Sequence, residues 1–139
     1  MFNLGGVAAT INNLPTVYNH DAVGFENRSN PDVGYIAEEV FQTFAFTQNI
    51  KVGKTLYLSG VTPLTGDLEN IEVVGTGDMR AEGAHPLEII KRCLAAEGAT
   101  FKNRVMQPVY TTNMVGLQKT DNVFRGAFGG YPPTSMCSG

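Results

Sequence analysis

Charge is scarce in this chain. Charged residues make up 17% of its 139 residues, against 42% hydrophobic. A disordered, tail-like protein carries proportionally more charge and less apolar material. The length is that of one domain, able to bury roughly two thirds of the surface its unfolded form exposes. Basic residues are in deficit: ten Lys and Arg face thirteen Asp and Glu, a net charge of -3. Binding to phosphate backbones needs a basic face, so nucleic acid is not expected as the main partner. No apolar run is long enough to span a bilayer, so no membrane partner is expected. The opening MFNLGGVAATINNLP has no basic segment, and Gly and Asn interrupt its apolar residues, so it does not make a convincing signal peptide. Cysteine is limited to Cys93 and Cys137, far apart and in no CxxC pair. A disulfide between them stays open, but two free thiols of a cytoplasmic protein are the expectation. His20 and His85 have no ligand spacing, and no metal site is read.

Residues 1–45 differ from the rest. They hold no lysine and many asparagines, and their turn signals are dense at Asn12-Asn13, Pro15, Asn27, Ser29-Asn30-Pro31 and Gly34. Only Tyr35 to Phe44 carries a helix-like run. This stretch is expected to be an N-terminal extension that wraps a neighbour or frays, with the domain proper at 46–139.

From residue 46 the pattern tightens. Ile50 and Val52, then Thr55 to Leu58, flank Gly53-Lys54 and predict a hairpin. Ile71 to Val74 predicts a short strand. Asp78 predicts a helix N-cap, with Leu87, Ile90 and Leu94 on one face and Gly98 as the stop. Pro86 inside that pattern predicts either a later start or a kink. Val105 to Thr112 predicts a strand, with Pro108 at an edge or between hydrogen bonds. Leu117, Phe124 and Phe128 predict a second amphipathic helix ending at Gly129-Gly130. The sum is an α+β layout with two helices on one face of a mixed sheet.

This set of segments resembles the RidA/YjgF family of reactive-intermediate deaminases. The likeness runs through Phe46 to Gly53, Leu56-Tyr57-Leu58-Ser59-Gly60, Leu94-Ala95-Ala96-Glu97-Gly98, Val109 to Met114, and Phe128 to Ser135. The resemblance implies a chorismate-mutase-like homotrimer, with ligand clefts between subunits and neither cofactor nor metal. It also implies hydrolysis of 2-imino or 2-enamino acids, in which a cation holds the carboxylate and a positioned water attacks the imine carbon. By the same resemblance a final strand carrying a Glu belongs past Gly139, so the expectation is either a sequence that continues or a homologue that lacks this strand and leaves an open edge.

The departures from the family pattern bear on the substrate. The family's site Tyr is Phe46, its Arg is Thr134, its helix Asn is Asp121 and its Cys is Met136, whereas Ser59 and Gly60 are kept. Thr cannot clamp a carboxylate as Arg does. A simple 2-imino acid is therefore a poor fit, unless another cation such as Arg125 or Arg104 reaches the cleft. The expected site comprises Phe46, Ser59, Gly60, Tyr110, Asp121 and Thr134, with the catalytic residue unassigned. With Phe46 and Tyr110 as aromatic walls, it should favour neutral or aromatic compounds over small dicarboxylates. The leading expectation is a deaminase or hydrolase acting on an imine, enamine or related small molecule. The alternative is a non-catalytic ligand-binding or regulatory homologue. A ribonuclease is the least expected, given the acidic balance.

Overall fold

In the computed structural model, the structure describes residues 28–138 and the backbone of two N-terminal strands. Those strands are β1 (Phe2–Leu4) and β2 (Val7–Thr10). The order continues with β3 (Arg28–Ser29), α1 (Glu38–Thr43), β4 (Asn49–Val52), β5 (Thr55–Leu58), β6 (Leu64–Thr65) and β7 (Glu72–Val73). Then come α2 (Met79–Ala96), β8 (Arg104–Met106), β9 (Val109–Thr111), α3 (Met114–Gln118), α4 (Asp121–Phe128) and β10 (Cys137–Ser138).

The predicted hairpin is β4 and β5, paired antiparallel with Val52 opposite Thr55. The predicted short strand contains β7, which pairs with β6. Asp78 caps α2 by accepting hydrogen bonds from the backbone of Arg80 at 2.9 Å and Ala81 at 3.3 Å. The helix then runs through Pro86 rather than starting there. Pro86 lacks the N–H that would bond back to residue 82, so the helix holds by its packing instead. Gly98 and Gly129 follow the ends of α2 and α4 with φ of 73° and 54°, the left-handed region that glycine enters freely.

Two expectations change. The predicted strand from Val105 to Thr112 is two strands in different sheets, broken at Gln107-Pro108. Gln107 N and Val109 N donate to Thr134 O and Met136 O at 2.9 and 2.8 Å, and Pro108 falls between these two donors. The predicted second helix is also split, into α3 and α4. At the break Thr120 is fully buried, and its hydroxyl donates to Leu117 O at 2.6 Å, competing with a continuous helical ladder.

The five-stranded sheet has the order β3-β4-β5-β2-β8, and a second sheet has the order β1-β9-β10. Residues 7–10 thus lie between β5 and β8, pairing with both. The β9–β10 pairing is parallel and the other pairings of these two sheets are antiparallel, so the arrangement is mixed as expected. Helix α2 packs against β1 and α4. Leu87, Ile89, Ile90, Cys93 and Leu94 of α2 meet Leu56 and Leu58 of β5 and Val109 of β9 in the core. Burying each large side chain there contributes roughly 1.5–3 kcal/mol. Strand alternation sends Tyr57 and Tyr110 to the opposite face, where they are 52% and 43% exposed with Val105 and Met106 nearby in sequence. Among the described residues, no helix is long and apolar enough to cross a membrane.

Candidate functional site

A groove of about 540 Å³ lies where α3 and α4 overhang β9 and β10. Its walls include Val109, Leu117, Phe124 and Phe128, with Asp121, Ser135 and Cys137 as polar or reactive groups. Local sequence explains the placement. Val109 is an inward position of β9, and Phe124 and Phe128 are one helical turn apart, with rings 5.9 Å between centroids. Asp121 opens α4, where a carboxylate suits the helix N-terminus. Its Oδ2 accepts from Arg125 Nε at 2.6 Å, so the acid that lines the groove carries its own counter-ion.

Of the residues expected at the site, the groove takes in Asp121 alone. Tyr110 points from the other face of β9, away from Val109, so one protomer does not join it to Asp121 in one pocket. Phe46 is half-buried with its ring 4.9 Å from that of Phe41, which fits packing. Ser59 donates its hydroxyl to Thr47 O at 2.6 Å, and its backbone N–H goes to Gln48 O at 2.9 Å; Gly60 follows it. Thr134 is exposed, and its hydroxyl donates to Val105 O at 2.9 Å. Both hydroxyl protons are thus held by backbone, while the oxygens can still accept.

The two cysteines are free, Cys93 buried and Cys137 exposed. Burial pushes the Cys93 thiol up to about 12, with the Glu97 carboxylate adding to the effect, so it stays protonated and inert. Cys137, on the groove, has the accessible sulfur. Of the two cations expected to compensate for Thr134, Arg125 is exposed and holds Asp121. Arg104 is buried on β8 at 4% exposure, its guanidinium 4.5 Å from the Phe101 ring centroid and 4.2 Å from that of Phe128. Its Nη1 donates to Gln107 Oε1. Burial lowers its pKa to about 10, which leaves it charged at neutral pH. Sequence reading missed Ser135 and Gln107 as neighbours of a groove. Only the paired backbone of 134–138 along 105–110 reveals that neighbourhood.

Comparison with known proteins agrees with the resemblance. Residues 37–139 match the family described as Endoribonuclease L-PSP. A RutC family protein of Saccharolobus solfataricus is 33% identical over 91 residues, which cover 66% of this chain and 70% of that protein. The 3-aminoacrylate deaminase RutC of Acinetobacter baylyi is 29% identical over 87 residues, 63% of this chain and 67% of the other. A crystal structure of a candidate endoribonuclease from Thermotoga maritima superposes with a TM-score of 0.66 at 26% identity, covering 79% of this chain and 80% of that one. A family match across most of the chain, on a mixed sheet backed by helices, leads to one conclusion: this chain belongs to the Endoribonuclease L-PSP family, the RidA/YjgF group whose motifs it carries.

Proposed function

We propose that this chain is a small-molecule deaminase or hydrolase acting on an imine, enamine or related C–N intermediate, in a cleft completed by neighbouring subunits of a homotrimer. The observation that carries the reading is the groove in which Asp121 stands at the head of α4 above an apolar floor. Kinship with a protein named as a 3-aminoacrylate deaminase supports the reaction class. The step requires no redox partner. Water oxygen bonds to the imine carbon while the C=N π pair moves to nitrogen, which takes up one water proton; the hydroxyl proton of the resulting carbinolamine then passes to nitrogen as the C–N bond breaks, releasing ammonia and leaving a carbonyl. An enamine first takes a proton at its β-carbon to become the imine. Asp121 orients the water by accepting its hydrogen bond, and Arg125 pairs with that carboxylate. The apolar lining suits a substrate with an apolar or aromatic body. Self-association is supported by large apolar side chains left exposed on the strands, Tyr57 on β5, Val105 on β8 and Tyr110 on β9, since exposed apolar surface favours a partner.

A second reading, a non-catalytic ligand-binding homologue, is favoured by particular positions. Phe46 offers no hydroxyl and Thr134 no cation, and the hydroxyl protons of Ser59 and Thr134 are committed to backbone carbonyls. The two readings separate in one assay. Imines are generated in situ from aromatic and aliphatic amino acids by an amino-acid oxidase, and their decay is followed with and without the protein. The enzyme reading expects faster decay, lost in Asp121→Asn, with aromatic imines preferred to 2-iminopropionate. Decay at the buffer rate for every imine, from a folded protein that still binds the corresponding keto acid, would establish the second reading.

A further inference from the structure

Behind the groove lies a polar pair that the reaction scheme above does not use. Arg104 and Gln107 are 4% and 1% exposed. Arg104 Nε, Arg104 Nη2 and Gln107 Nε2 are shut off from solvent and have no hydrogen-bond partner among the described residues. No carboxylate among those residues forms an ion pair with Arg104. A buried charge with open donors is costly, because nothing replaces the water it has lost. All three open atoms are donors, so what would satisfy them is an acceptor, and for the guanidinium an anionic one.

The pair is only one side chain away from the groove. Phe128 lines the groove and also covers the guanidinium, 4.2 Å from ring centroid to Cζ. Ser135 lines the groove and donates its hydroxyl to Gln107 O at 2.9 Å. Phe128 is the last residue of α4 and is only half-buried at the edge of the core, so its ring is the peripheral contact that has to turn aside to admit a ligand.

We propose that Arg104 and Gln107 form an oxyanion-binding subsite at the inner end of the groove, which takes a carboxylate or phosphate oxygen of a ligand whose apolar body lies along Val109, Leu117 and Phe124. Nε and Nη2 of the guanidinium form the two-pronged donor that a carboxylate matches, and Gln107 Nε2 adds a third hydrogen bond. The ring of Phe128 closes over the occupied site and excludes water. Arg104 thereby supplies the cation that Thr134 does not. This deepens the proposed function, because it rests on the same groove being the ligand site. It is tested by binding rather than turnover, so an inactive protein can still confirm it and an active one can still refute it.

The probes are benzoate, its neutral counterpart benzamide, and inorganic phosphate, each at constant ionic strength against chloride. Thermal midpoints are measured, together with the Arg104 Nε–H resonance, assigned by its disappearance in Arg104→Met. The expected result is a higher midpoint and a shifted resonance with benzoate, neither with benzamide, and benzoate affinity at least ten-fold weaker in Arg104→Met. A phosphate response in place of the benzoate response keeps the subsite and identifies the oxyanion as a phosphate. Arg104→Met preserves the length of the side chain and removes an unpaired buried charge, so it should fold. Should it not, Gln107→Leu must weaken the effective oxyanion at least three-fold. The proposal is overturned if neither anion exceeds chloride on the intact protein, if the Nε–H resonance does not respond, or if the folded variants bind the anion as well as the original chain.

Discussion

At the scale of single residues, Thr134 and Cys93 give the clearest expectations. Thr134 occupies the place of the family Arg, on the segment before β10, where it bridges to Met106. In Thr134→Arg, two charge-assisted hydrogen bonds become available, worth about 1.5–3 kcal/mol each in favourable settings. Pyruvate binding, read by titration calorimetry, should tighten by about ten-fold or more. Unchanged affinity in a folded variant would mean that the cleft does not include position 134. Cys93 gives a pH dependence. Its thiol titrates near 9 when unfolded and at about 12 in the fold. The unfolded chain therefore releases its proton first, so the stabilisation is complete below pH 9 and is lost as pH rises toward 12. The slope approaches about 1.4 kcal/mol per pH unit. Arg104, lowered to about 10 by burial, acts in the opposite sense from about pH 9 upward, equally in both chains compared. Urea titrations between pH 9 and 10 should give a flatter limb for Cys93→Ala than for the original chain. Equal slopes would remove the thiol as the cause.

At the scale of elements, the boundary of α2 rests on Asp78. Its carboxylate satisfies the N–H groups of Arg80 and Ala81. Asp78→Ala should lower stability by about 1 kcal/mol in denaturant unfolding, and a change near zero would mean water replaces the cap without loss. Elements of this kind were legible in the sequence because each combines a periodic apolar face with local punctuation: the β4–β5 hairpin around Gly53, α2 between Asp78 and Gly98, and the end of α4 at Gly129. What could not be read locally was set by partners distant in sequence. The run Val7–Thr10 is short and alanine-rich, and its place between β5 and β8 comes from pairing, not propensity. The break at Thr120 depends on that hydroxyl being buried beside Leu117 O. The candidate site was legible at Asp121 through the family pattern, in which it takes the place of a helix Asn. Arg104 was named as a candidate cation, but Gln107 and the burial of the pair stayed hidden, because stacking between Phe101 and Phe128 is a three-dimensional fact that no spacing encodes.

At the scale of the whole molecule, Tyr57 of the five-stranded sheet and Tyr110 of the second sheet stand exposed while their strand neighbours are buried. A homotrimer should appear in light scattering at three times the 15.0 kDa chain mass. Tyr110→Asp would place a charge on the proposed contact and should shift the mass toward the monomer. A 15 kDa species from the original chain at micromolar concentration would overturn the trimer. The position of β2 also bears on how the chain is made. Ala8 pairs with Tyr57 on one side and with Met106 on the other. Ribosomes add roughly 5–20 residues per second, so the first-made strand waits on the order of 5–20 seconds for its second neighbour to be synthesised. During that interval a sheet ending in an unpaired β2 would offer its backbone to any passing strand. The nascent chain, rather than the finished protein, is where aggregation and chaperone dependence should concentrate.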